Sequence, residues 1–142
     1  NLETVQKFSL EKIESNGYIP DLIVHMEETF PFRPTGLIDS MIVDLLKDGF
    51  DSVIAARRES GFLWRENRDG KFIQIDSGDV PHSFKEDTFV GIHGLGVITH
   101  PEFIRRGQLL GNNCGLYKIE DYLANFEIRN DKSAVTVSKL LQ

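Results

Sequence analysis

Between Leu22 and Ala56 the chain runs apolar segment, amphipathic helix, apolar segment, and this alternation restricts its architecture more than any other stretch. Leu22-Ile23-Val24-His25-Met26 is a short apolar run of the kind that fills a buried strand. Leu37, Ile38, Met41, Ile42, Leu45 and Leu46 then form a broad helical stripe, with Gly49 placed as a C-terminal cap. Asp51 to Ala56 reads as a second buried strand. Short connections make this a βαβ unit, whose two strands are expected to pair in parallel through a right-handed crossover.

The flanking sequence fills out an α/β chain. Leu2, Val5, Phe8 and Ile13 approximate helical spacing, and Ser15-Asn16-Gly17 supplies a stop. Residues 57–83 are polar and turn-rich, with Phe72-Ile73-Gln74-Ile75 as a strand. A strand over Phe89 to Thr99 is interrupted by Gly91, Gly94 and Gly96, which suit a close approach of backbone to a ligand or another strand. Pro101 opens a short helix toward Arg106. Ile119 to Leu123 reads as another short helix, Phe126-Glu127-Ile128 as a last strand, and Asp131 as the cap of a closing helix through Leu141. With no internal repeat or linker, residues 1–142 are expected to form a single domain.

Charge and composition narrow the function. A net charge of −6 argues against a nucleic-acid surface, which needs clustered Lys and Arg. No basic run forms a membrane patch, and no apolar run is long enough to span a bilayer. The start carries no signal peptide, so a cytoplasmic location is expected. The single cysteine, Cys114, allows no internal disulfide and reads as a small buried hydrophobe. His25, His82, His93 and His100 show no metal-ligand spacing; His25 reads as a packed strand residue and His93, beside Gly94, as one that could face a ligand.

The segment Glu27-Glu28-Thr29-Phe30-Pro31-Phe32-Arg33-Pro34 lies where a parallel strand ends and its crossover helix begins, the usual place for a ligand in an open α/β sheet. The helix start near Thr35 and Gly36 offers N–H groups to an anion, and Arg33 adds a fork of donors suited to phosphate or carboxylate. Alternation along a strand turns Glu27 and Glu28 to opposite sides. Equally, the phenylalanines could pack, Arg33 could pair with a surface acid, and the glutamates could be solvated.

Residues 20–56, and in particular Thr29-Phe30-Pro31-Phe32-Arg33-Pro34 followed by "DSVI", resemble the acylneuraminate and 3-deoxy-manno-octulosonate cytidylyltransferases. The stretch "HGLGVITHPEFI", residues 93–104, is similar to the strand that lines the sugar pocket in that family. The resemblance implies a three-layer α/β/α, Rossmann-like mixed sheet and the activation of an acidic sugar by CTP with Mg²⁺, in a homodimer. It implies Arg33 as a catalytic residue, and Glu27, Thr29, Arg33, His82, Lys85, His93 and Gly94 as substrate contacts. Glu127 and Asp131 would be metal ligands, in place of a closing Asp-x-Asp. Glu27 replaces a glutamine of the family, and its carboxylate would repel an anionic sugar unless protonated or bound to a metal. The stretch Arg57 to Asp79 corresponds to the family's dimerisation arm, with Phe62 and Trp64 as anchors. The family's Gly-rich triphosphate loop has no counterpart in these residues. Because the chain opens on Asn1, removal of an N-terminal segment is the expected reason. A non-catalytic sugar-binding or dimerisation domain, or a transferase using another nucleotide, is the alternative.

Overall fold

A computed structural model describes residues 1–76 and 86–141. Helix α1 (Leu2–Ser15) is capped by the Asn1 side chain, and it stops at Asn16 before Gly17, whose φ of +86° continues no helix. Strand β1 (Ile23–His25) leads through the loop of residues 26–36 into α2 (Leu37–Asp48), which Gly49 ends in the left-handed conformation. Strand β2 (Ser52–Glu59) follows, then a hairpin of β3 (Trp64–Glu66) and β4 (Phe72–Gln74). Strands β5 (Thr88–Gly91) and β6 (Val97–Thr99), α3 (Pro101–Arg105), β7 (Cys114–Ile119), a 3-10 turn at Leu123–Asn125 and α4 (Asp131–Leu140) complete the described chain.

The expected β1–α2–β2 unit is present, and its two strands run in the same direction, but they are not neighbours. Strand β6 lies between them and pairs antiparallel with both, His25 and Ile54 each facing Val97 across the ladder. The inserted strand comes from far along the chain, which spacing within the unit does not reveal. β5 pairs antiparallel with the outer half of β2 and β7 pairs parallel along its other edge. β5 and β6 are thus the predicted glycine-interrupted strand, split by a loop at residues 92–96.

β2 is buried from Ser52 through Ala56, so both faces of the sheet are covered. On one face Met41, Leu45 and Leu37 of α2 pack with Val53, Ala55, Ile98 and Ile119. The opposite face carries Ser52 and Thr99, whose hydroxyls are 2.7 Å apart and buried. Gly111 N donates to Ser52 Oγ at 2.8 Å, and Phe103 of α3 closes over that glycine. α1 packs on α3, with Arg105 Nε donating to Glu14 Oε1 at 3.0 Å. The architecture is therefore α/β/α in three layers. No helix among the described residues is long and apolar enough to cross a membrane.

Four sequence expectations differ near the C-terminus. Cys114–Ile119, left without an element except for Ile119 at the start of the expected helix, is a strand; glycine stands at position 115 because the Phe50 ring lies 2.5 Å from where a Cβ would be. The helix expected over Ile119–Leu123 reduces to the 3-10 turn, and Phe126–Ile128 is irregular, though Ile128 N donates to Thr29 O at 2.8 Å. The cap of α4 is Asn130, in a reciprocal box with Ser133, while Asp131 is the first helical residue.

Candidate functional site

The carboxyl ends of β1, β2 and β7 lie on one edge of the sheet, and the 92–96 loop lies beside the first of them. Glu27 N donates to Gly94 O at 2.8 Å, so the chain two residues past the end of β1 is fixed to that loop. Arg33 locks the junction from the other side. Its Nε donates to Leu95 O at 2.9 Å, and its Nη2 to Glu27 O at 2.6 Å and Gly94 O at 3.2 Å. Those donors go to backbone carbonyls, so Arg33 positions the two loops, and Nη1 alone has no partner among the described residues. Pro31 and Pro34 restrict the backbone around it. Phe30 is buried in the α2-side core and Phe32 meets Phe126 edge to face, centroids 6.5 Å apart.

Gly94 is glycine for a packing reason. A Cβ there would lie 2.6 Å from Phe30 Cε2 and 2.7 Å from Glu27 Cδ. The close approach expected of the glycines is thus real, and what Gly94 admits is the Glu27 side chain. Thr29 Oγ1 lies 3.5 Å from Glu27 Oε2.

Glu27 lies in a cluster that sequence spacing did not reveal. His25 and His93 stack with ring centroids 4.4 Å apart and planes tilted by 49°. His25 Nε2 is 3.6 Å from Glu27 Oε1, and one ligand atom from each of the three residues lies within 4.8 Å of the others. His25 Nδ1 is 2.8 Å from Gln6 Nε2 of α1. Burial first, then the neighbouring His25, holds the His93 imidazole below its ordinary range, while Glu27 and Glu3 act in the opposite sense. The legible signal was His25-x-Glu27, two residues on one face of a strand; their partner arrives from position 93 only when β6 inserts beside β1.

Two clefts open along this edge. One, of about 320 Å³, is lined by Glu27, His93, Gly94, Arg57, Asn125 and Glu127, among others. The second, of about 740 Å³, lies against the ends of β2 and β7 and shares Arg57 and Asn125 with the first. Its cations are Arg57, 3.7 Å from Glu59; Arg58, paired with Asp87; and Lys118, 5.1 Å over the Phe89 ring. None of these was singled out from the sequence, because only the folded strand ends bring them together. A third cleft of about 410 Å³ adjoins the start of α2 at Thr35 and Gly36 and is lined as well by Lys118, Glu120 and Asp121.

Glu27, His93 and Gly94 therefore share one cleft wall, with Arg33 behind it and Thr29 beside Glu27. Glu127 lines the same cleft, its Oε2 accepting from Arg129 Nε at 2.6 Å. Asp131 is exposed at the start of α4 and lines none of the clefts described. Among the described residues neither acid belongs to a cluster of three metal-ligating groups. His82 and Lys85 lie outside the described residues.

No family model matches the sequence, and no curated protein matches it. Among solved structures, the 4-diphosphocytidyl-2C-methyl-D-erythritol synthase of Anaerococcus prevotii superimposes with a TM-score of 0.64 over 92% of this chain, at 13% identity. The chain spans 64% of the length of that synthase. At this identity the likeness is one of fold, and the chain shares the synthase's mixed α/β architecture.

Proposed function

We propose that the chain is part of a cytidylyltransferase that joins an acidic sugar to CMP with release of pyrophosphate. The observation that carries this reading is a cleft bearing Arg57, Arg58 and Lys118 at the carboxyl ends of β2 and β7, in a fold shared with a synthase of a cytidyl compound. In the proposed reaction a sugar hydroxyl attacks the α-phosphorus of CTP, the bond to the bridging oxygen of the β-phosphate breaks, and pyrophosphate leaves. No covalent enzyme intermediate is needed, so the protein contributes positioning and charge neutralisation.

In the larger cleft Lys118 has no carboxylate partner among the described residues and would neutralise phosphate charge, Arg57 and Arg58 would do so by exchanging Glu59 and Asp87 for the phosphates, and Asn125 stands on the shared wall. The smaller cleft takes the sugar, held by Glu27, His93, the Gly94 backbone and Thr29. Glu127 is the carboxylate that fits a nucleotide-borne Mg²⁺, which needs one or two protein oxygens and would offset charge on the phosphates. The β3–β4 hairpin forms its own two-stranded sheet and exposes Trp64, Phe72 and Ile73, which supports a homodimer through this arm.

The reading is tested by pyrophosphate release with CTP and each other nucleoside triphosphate, against a panel of acidic sugars with Mg²⁺, using the complete encoded protein. Turnover with CTP that falls in Arg57→Ala and Lys118→Ala supports it. Turnover with no pairing would leave a non-catalytic sugar-binding domain as the better reading. Sedimentation of wild type against Trp64→Asp tests the arm, a dimer that dissociates in the variant being expected.

A further inference from the structure

We propose that His25, Glu27 and His93 form a binding site for a divalent transition cation of the zinc class. The first observation is two orphaned nitrogens. Nε2 of His25 and Nε2 of His93 are both buried without a hydrogen-bond partner, which is costly for a polar atom and uncommon in a folded chain. The 3.6 Å from His25 Nε2 to Glu27 Oε1 is too long for a hydrogen bond. It is close to the spacing of about 3.4 Å between two ligands of one tetrahedral ion, each about 2.1 Å from the metal. With one ligand atom of each residue within 4.8 Å of the others, side-chain shifts on the order of 1 Å close the site.

The scaffold is suited to hold such a site. His25 belongs to a paired strand, Glu27 is bonded through its N–H to Gly94, and Arg33 ties that junction to Leu95. Gln6 supplies the outer contact to His25. Its Oε1 is also buried without a partner. A half-turn of the amide brings Oε1 to His25 Nδ1, where it accepts a hydrogen bond from the Nδ1–H and leaves the Nε2 lone pair for the ion. A metal-bound histidine ordinarily gives its second N–H to such an acceptor.

The donor set selects the ion. Two imidazoles and a carboxylate suit zinc and its first-row neighbours, whereas Mg²⁺ prefers oxygen ligands and retained water. Three protein ligands leave a coordination position free, and the partly exposed Glu27 carboxylate, which lines the 320 Å³ cleft with His93, is the side from which a ligand would reach it. The ion would bind an anionic ligand there, and it offsets the charge of Glu27, the carboxylate otherwise ill-suited to an acidic partner. This site goes beyond nucleotidyl transfer and does not depend on it.

The test is calorimetric titration of the chelator-stripped chain with Zn²⁺ alone, and titration with Co²⁺ followed by its visible d–d bands. One equivalent is expected to bind. Affinity falls by at least about tenfold in His25→Ala, His93→Gln and Glu27→Gln, and by about tenfold in Gln6→Leu. His100→Ala and Cys114→Ser bind as wild type does. Circular dichroism identifies variants that fold, and the near-isosteric Glu27→Gln keeps the test decisive if a histidine variant does not. Absence of Zn²⁺ binding to the wild type overturns the proposal. So does binding that survives Glu27→Gln and His93→Gln unchanged, which would make the stacked histidines packing alone.

Discussion

Replacing Arg33 by alanine removes a clamp whose contribution follows from the hydrogen bonds it makes. Glu27 O and Leu95 O accept from no other group among the described residues, whereas Gly94 O keeps the bond from Glu27 N. Two carbonyls thus lose a charged donor, each such bond being worth about 1.5–3 kcal/mol. Both lie in a part-buried region where water can replace some of the loss, which lowers the expected cost to about 2–4 kcal/mol. For a chain of this length that corresponds to a fall in melting temperature of roughly 6–14 °C. Urea unfolding followed by far-UV circular dichroism measures it, and Arg33→Lys, a single charge without the fork, should recover less than half. A loss below about 1 kcal/mol with an unchanged denaturant slope would refute the clamp and return Arg33 to a role in ligand binding alone.

Other outcomes follow from particular contacts. Gly94→Ala places a methyl against Phe30 and the Glu27 carboxylate, so a cost of about 1–3 kcal/mol and a weaker Zn²⁺ site are expected together, read by unfolding and by titration. Ser52→Ala leaves Thr99 Oγ1 and Gly111 N without their buried partner and should cost about 1–3 kcal/mol; a near-neutral melt would mean that those groups find other partners. Burial, and secondarily Asp51, pushes the Cys114 thiol up, so alkylation of the folded chain should rise at higher pH than that of the unfolded chain. By linkage, the contribution of that thiol to stability is full below its ordinary range and lost as pH rises through the folded value, a decline that Cys114→Ser should remove.

Several elements were legible because local chemistry decides them. Asn16-Gly17 ends α1, Gly49 ends α2 and Pro101 opens α3, each through a backbone preference that needs no distant partner. The apolar period of α2 and the unbroken apolar run of β2 likewise report burial directly. The close approach at Gly94 was also readable, since a glycine within a strand pattern signals it, but not that Glu27 and Phe30 fill the space.

What the linear sequence determined, then, is an α/β chain with a strand ending at a loop rich in charge and proline, which drew attention to Glu27, Thr29 and Arg33. Tertiary structure decided their parts. Arg33 was read either as an anion's partner or as the partner of a surface acid, and the fold spends three of its bonds on carbonyls from two loops, one about 60 residues away. His25 was read as packing and His93 as a lone ligand-facing ring; insertion of β6 between β1 and β2 stacks them beside Glu27. Periodicity reports which face of an element is buried, because burial acts residue by residue. Which side chains meet across strands depends on pairing between distant segments, and that is set by the packing of the whole sheet.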